Sequence, residues 1–211
     1  MSDCGCHHEA KSTQERRVLR IALVLNAAMA VIGGVAGWIA QSTGLLADAL
    51  DMLSDATAYA IGLAAIGRAA RFKANAAQLS GGVLLLLGLG VLAEVGRRAL
   101  YGSEPLSGWM IGVALVSLAV NMSVLRMLAP LRSGDVHLRA SWIFTRADVV
   151  ANVGVVLSGV LVWLTQSRYP DLIVGTLIGL YVVREAWEIL KDARAAQHAA
   201  KDPTDRADEI S

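Results

Sequence analysis

The chain has 211 residues, of which 55% are hydrophobic and 18% charged, with a formal net charge of +1. That balance excludes an ordinary soluble domain of this size, and it gives no electrostatic reason to expect a nucleic-acid partner. The only cysteines, Cys4 and Cys6, are one residue apart, too close for an ordinary structural disulfide, so nothing points to an oxidising compartment.

Residues 1–16, MSDCGCHHEAKSTQER, read as a polar tail. They are no cleavable signal peptide, because the apolar run that follows is too long. Six apolar runs then succeed one another: Ile21–Ala40, Leu45–Gly67, Gln78–Val95, Trp109–Leu128, Trp142–Thr165 and Leu172–Ile189. Each approaches the ~20 residues that cross a bilayer as a helix. The expected architecture is an all-α integral membrane protein, a six-transmembrane-helix bundle over residues 17–192. Residues 193–211 are expected to be a short disordered tail. Lys11, Arg16, Arg17 and Arg20 precede the first run, and Arg68, Arg71 and Lys73 follow the second. Arg126, Arg132 and Arg139 lie between the fourth and fifth, and Arg184, Lys191 and Arg194 close the sixth. By the positive-inside rule both termini are expected to be cytoplasmic, in a multi-pass cell (inner) membrane protein. Small residues are expected where helices approach closely: Gly33, Gly34, Ala36 and Gly37 in the first run, Gly81, Gly82, Gly88 and Gly90 in the third, and the Gly175/Gly179 pair in the sixth.

The second run contradicts its own hydrophobicity: it carries Asp48, Asp51 and Asp55. On a helix these positions fall within about 60° of one another. Each charged aspartate costs on the order of 3 kcal/mol at a helix centre, so the stripe must face a wet cavity or a partner. The fifth run supplies Asp148 and, four residues on, Asn152. Counted at ~1.5 Å per residue, both sets fall near the middle of a ~30 Å core. Carboxylates gathered there repel unless protonated or bound to a cation, and one divalent cation would collect oxygens from both helices. Plainer roles stand beside this. Asp48 lies near a helix start, where an aspartate serves the helix dipole. Asp51 and Asp55 could pair with an arginine, and Asn152 could simply bond a neighbouring helix. Arg146 lies off the Asp148 face and could pair with Glu185 or Glu188. Asn26 and Asn121 read as packing polar residues, and Glu94 as a rim residue.

GLLADALDMLSDA, Gly44 to Ala56, resembles the second helix of the cation diffusion facilitator family of divalent metal transporters. WIFTRADVVANVGVV and YPDLIVGTLIGLYVVREAWEILKDA resemble its fifth and sixth helices. The resemblance implies six transmembrane helices with cytoplasmic termini and export of Zn²⁺ or related ions in exchange for protons. It assigns metal-ligand roles to Asp51, Asp55 and Asp148, with Asn152, water or Asp48 completing the set. Two departures matter. The family's fifth-helix histidine falls on Phe144, which cannot bind metal. An oxygen-rich site is harder, which brings Mn²⁺, Fe²⁺ or Co²⁺ beside the favoured Zn²⁺, and Cd²⁺ is a further candidate substrate. The chain also reads as a short member without the family's C-terminal cytoplasmic domain, so a homodimer would be held through the transmembrane helices.

CGCHHE gathers Cys4, Cys6, His7 and His8, whose thiolates and imidazoles suit Zn²⁺. This cluster is either a metal-collecting cytoplasmic tail or a tail without function. His137 is a peripheral metal candidate or a solvated loop histidine. The expected function is that of a secondary transporter, not an enzyme, with the divalent cation as substrate and protons as counter-ion. Its partners are metal ions and the lipid bilayer. The alternative is a metal-binding membrane subunit or sensor that does not transport. An intramembrane aspartyl protease using Asp55 and Asp148 fits the surrounding residues poorly.

Overall fold

A chain in lipid must satisfy its backbone polar groups internally, and helices do this within one segment. The computed structural model describes residues 5–64, 70–131 and 136–208 and is helical almost throughout. In chain order the helices are α1 (Gly5–Ile39), α2 (Thr43–Ala64), α3 (Ala70–Tyr101), α4 (Ser107–Leu128), α5 (Val136–Thr165) and α6 (Tyr169–Asp208). A 3₁₀ turn, Ala129–Leu131, extends α4. Among the described residues four segments are long and apolar enough to cross a membrane: Arg16–Ile39, Ala74–Tyr101, Ser107–Leu128 and Asp148–Thr165. The remaining two fall short of that: Asp48, Asp51 and Asp55 interrupt the apolar run of α2, and Arg184, Glu185 and Glu188 that of α6. Large apolar side chains stand exposed around the perimeter, among them Val31, Trp38, Leu86, Leu100, Trp163 and Leu177. A monomer in water rarely exposes such a surface.

The helix ends depart from the sequence expectation at several places; α5, for one, starts at Val136 rather than Trp142, so the backbone at His137 is helical and not a loop. Helix α1 starts at Gly5, within the stretch expected to be a polar tail. Its Ala, Lys, Gln, Glu and Arg residues are good helix formers, and no proline interrupts them. Helix α6 continues beyond residue 192, where a disordered tail was expected. There Gln197 Nε2 donates to Asn75 Oδ1 at 2.8 Å and to Gln78 Oε1 at 2.6 Å. These amides bind the end of α6 to the start of α3, which itself begins before the expected Gln78.

Two apolar clusters hold the bundle. One, near the α1–α2 turn, joins Ala36, Ala40, Leu45, Met110, Val155 and Ile178 from five helices. The other joins Ala22, Tyr59, Val124 and Leu128 at the opposite end. Alanines alternate with the larger residues in both, and glycines let helix axes come close. A β-carbon at Gly37 would sit 2.8 Å from the backbone nitrogen of Leu46, so α1 and α2 meet backbone to backbone there.

The α1–α2 turn sets the entry of α2. Gln41 has φ of 50°, in the left-handed region. Ser42 N donates to Gly37 O at 2.9 Å and Gln41 N to Trp38 O at 3.3 Å, the pair of bonds that makes a Schellman C-cap. The next donors are met in turn. Thr43 N and Gly44 N donate to Asp171 Oδ2 and Oδ1 at 2.7 and 3.0 Å. Leu45 N donates to Ser42 Oγ at 3.1 Å, and Leu46 N to Ser42 O at 3.3 Å. Ser42 Oγ in turn donates to Asp171 Oδ1 at 2.6 Å. A carboxylate from α6, fully buried, thus caps α2 from 128 residues away, where its charge also favours the positive end of the helix dipole.

Candidate metal-binding site

Helix α2 holds its aspartates between the two apolar clusters, with Leu45 and Ala47 on one side and Tyr59 on the other. Helix α5 runs antiparallel to it, and three contacts fix their register. Gly44 lies against Val155. Asn152 Nδ2 donates to Asp48 Oδ1 at 3.0 Å. The Tyr59 hydroxyl and Thr145 Oγ1 are 3.1 Å apart. Between the last two, Asp148 comes within hydrogen-bonding reach of both Asp51 and Asp55. Asp48, Asp51, Asp148 and Asn152 are buried, and Asp55 is half-buried.

The sequence candidates divide accordingly. Asp51, Asp55 and Asp148 come together. Asp48 and Asn152 form a separate pair at the α1–α2 end, with Ser117 of α4 also in hydrogen-bonding reach of Asp48. The Asn152 amide also donates to the main-chain oxygen of Asp148 at 2.8 Å, which leaves its Oδ1 buried and unpartnered. Asp48 Oδ2 and Asp148 Oδ2 are likewise buried without a hydrogen-bond partner. Such atoms are costly unless something accepts their lone pairs. From Asp48 to Asp55 the column extends roughly 10 Å along α2, at ~1.5 Å per residue. That exceeds the reach of one metal ion, whose oxygen ligands sit about 2 Å away. Consistent with this, no three Asp, Glu, His or Cys side chains among the described residues already converge at metal-ligand spacing.

Several residues that the sequence did not single out take part. Tyr59 and Thr145 tie the two helices together beyond Asp55. Ser54 Oγ donates to Glu185 Oε2 of α6 at 3.2 Å. In the sequence Glu185 stood out only as a partner for Arg146, because the face of α6 that meets α2 is set by packing. Glu188, the other such partner, is bonded to Arg184 at 3.0 Å. Glu94 is a rim residue as expected, paired with Arg97 and Arg98 at 2.7 Å each. Asn26 Nδ2 bonds back to Ala22 O at 3.0 Å, while both side-chain polar atoms of Asn121 are buried and unpartnered. Cys4 lies outside the described residues, as do the side chains of Cys6, His7, His8, His137, Phe144 and Arg146.

An acidic layer shared by two antiparallel helices is a feature that can be compared with known proteins. Metal cation efflux system protein CzcD of Cupriavidus metallidurans is 29% identical over 201 residues, spanning 90% of this chain and 63% of that protein. A cadmium, cobalt and zinc/H(+)-K(+) antiporter of Bacillus velezensis is 24% identical over 205 residues, with 90% and 65% covered. Zinc transporter ZitB of Escherichia coli K12 is 25% identical over 199 residues, with 88% and 63% covered. The chain therefore spans a little under two thirds of the length of these relatives. Residues 19–196, which hold every aspartate of the layer, match the cation efflux transmembrane domain, and the chain belongs to the cation efflux family.

Proposed function

We propose that the protein carries a divalent cation, Zn²⁺ by preference, out of the cytoplasm in exchange for protons. Its six helices span the membrane with both termini cytoplasmic, an orientation that the distribution of lysine and arginine between the loops supports. Asp51, Asp55 and Asp148 bind the ion, and Asn152 Oδ1 and Asp48 flank it. The observation that carries this reading is the meeting of Asp148 with Asp51 and Asp55 in a buried layer. No lysine, arginine or histidine among the described residues pairs with them: the salt bridges found there are Arg97 and Arg98 with Glu94, and Arg184 with Glu188. Uncompensated charge in such a layer calls for a cation. The names of the relatives, which mention zinc, cadmium, cobalt and protons, support the same class of substrate.

The proton coupling follows from the carboxyl groups. Carboxyl groups this close repel unless a proton or a cation lies between them. A cation entering between Asp51 and Asp148 must displace that proton, and protons returning from the other side displace the cation. Alternating access then needs only that the layer open to one side at a time, with an apolar cluster closing each end. The Cys4, Cys6, His7 and His8 cluster collects metal at the cytoplasmic entrance, and a second copy joins through the transmembrane helices.

Purified protein in vesicles with a zinc-sensitive dye and an imposed pH gradient tests this. Asp51→Ala and Asp148→Ala are each expected to lower the initial Zn²⁺ flux at least about 100-fold, as loss of a direct ligand should exceed the 10–100-fold cost of a supporting residue. Wild-type flux in either variant refutes the assignment. Zn²⁺ binding without flux in the wild-type protein would identify a binding subunit instead.

A further inference from the structure

We propose that Glu185 of α6 is a further cation ligand of this site, acting with Asp55 at the end of the acidic column remote from Asp48. The inference rests on the cation reading given above and extends it to a third helix.

Two hydroxyl groups aim the Glu185 carboxylate at α2. Ser54 Oγ donates to its Oε2 at 3.2 Å, and the Tyr181 hydroxyl, one turn earlier on α6, lies in hydrogen-bonding reach. So held, Glu185 feels the charges of Asp51, Asp55 and Asp148 together. A carboxylate with freedom to move would turn away from three like charges. The adjacent cation on α6 does not attract it outward: Arg184 is bonded to Glu188, and its side chain is 80% exposed. Four carboxylates from three helices therefore face one another with no cationic partner among the described residues.

Asp148 Oδ2 is the independent sign that something binds among them. Asp148 is only 3% exposed, and this oxygen has no hydrogen-bond partner although its neighbours are carboxyl groups. The column is about 10 Å long, so one ion cannot touch both Asp48 and Asp55. An ion at the Asp55 end would draw Asp55, Asp148 and Glu185 in around it, whereas Asp48, one oxygen of which already accepts from Asn152, lies at the other end. Glu185 adds to that end the hard oxygen that a site without imidazole or thiolate lacks.

The full chain is tested in detergent by calorimetric Zn²⁺ titration and in vesicles by flux. Glu185→Gln, which is isosteric, is expected to weaken Zn²⁺ binding about tenfold and to raise KM with kcat little changed. Glu185→Asp keeps a carboxylate and should recover part of the affinity. Ser54→Ala should weaken binding less, and should add nothing in a Glu185→Gln background, because Ser54 acts through Glu185. Wild-type affinity in Glu185→Gln, beside an Asp51→Ala variant that no longer binds, overturns the role of Glu185 alone. Wild-type affinity in Asp51→Ala overturns the cation site and this extension with it.

Discussion

Asp171→Ala removes the cap of α2, and its cost can be worked from the contacts. The Asp171 carboxylate accepts four hydrogen bonds: from Ser42 Oγ at 2.6 Å, Thr43 N at 2.7 Å, Thr43 Oγ1 at 2.9 Å and Gly44 N at 3.0 Å. The hydroxyls can turn elsewhere, and Thr43 Oγ1 already lies 3.1 Å from the main-chain oxygen of residue 171. The two amides cannot turn. Each would stay buried without a partner, at about 1–3 kcal/mol. Relief of the buried charge offsets a part, and loss of its attraction to the helix dipole adds about 0.5–1 kcal/mol. A net destabilisation of ~3 kcal/mol follows, above the ~1–2 kcal/mol of an ordinary cap. For a chain of this size that lowers the melting temperature by about 6–12 °C. Tryptophan fluorescence during heating in detergent reads it, since Trp38 and Trp163 lie at helix ends near this turn. Asp171→Asn keeps one acceptor oxygen and should lose roughly half as much. An alanine variant melting within about 1 °C of wild type would show that α2 does not depend on this cap.

Two further predictions concern the same end of the bundle. Gln41→Gly should stabilise the protein by about 0.5–1 kcal/mol, because a side chain at φ of 50° is strained where glycine is not; an unchanged melting temperature would argue against that strain. Gly37→Ala places a methyl group 2.8 Å from the backbone of Leu46, and should destabilise by about 1–3 kcal/mol with α2 displaced from α1; a neutral result would mean that the helices separate freely. The Asp51→Ala flux measurement and the Glu185→Gln titration complete the set. The first bears on transport itself, and the second on the third helix of the site.

The helical texture and the two halves of the acidic layer were legible in the chain. Apolar runs of membrane length mark helices whatever their neighbours, because lipid offers the backbone no other partner. The positions of Asp48, Asp51 and Asp55 share a stripe through the pitch of one helix, and Asp148 with Asn152 through that of another. The glycine pattern pointed to close packing, and Gly37, Gly88 and Gly175 do lie where a β-carbon would meet another helix, but Gly82 and Gly90 face open space. Periodicity alone does not distinguish a small residue against a neighbour from one toward lipid.

The sequence by itself determined each helix and the face on which its carboxylates lie, since those depend on residues a few positions apart. Tertiary structure decided which faces meet. It paired Asn152 with Asp48, 104 residues away, and brought Asp148 to Asp51 and Asp55. It turned Glu185 toward Ser54 across 131 residues and placed Asp171 over the start of α2. Register between distant helices comes from how small and large side chains interdigitate along their whole length, and no local spacing encodes that.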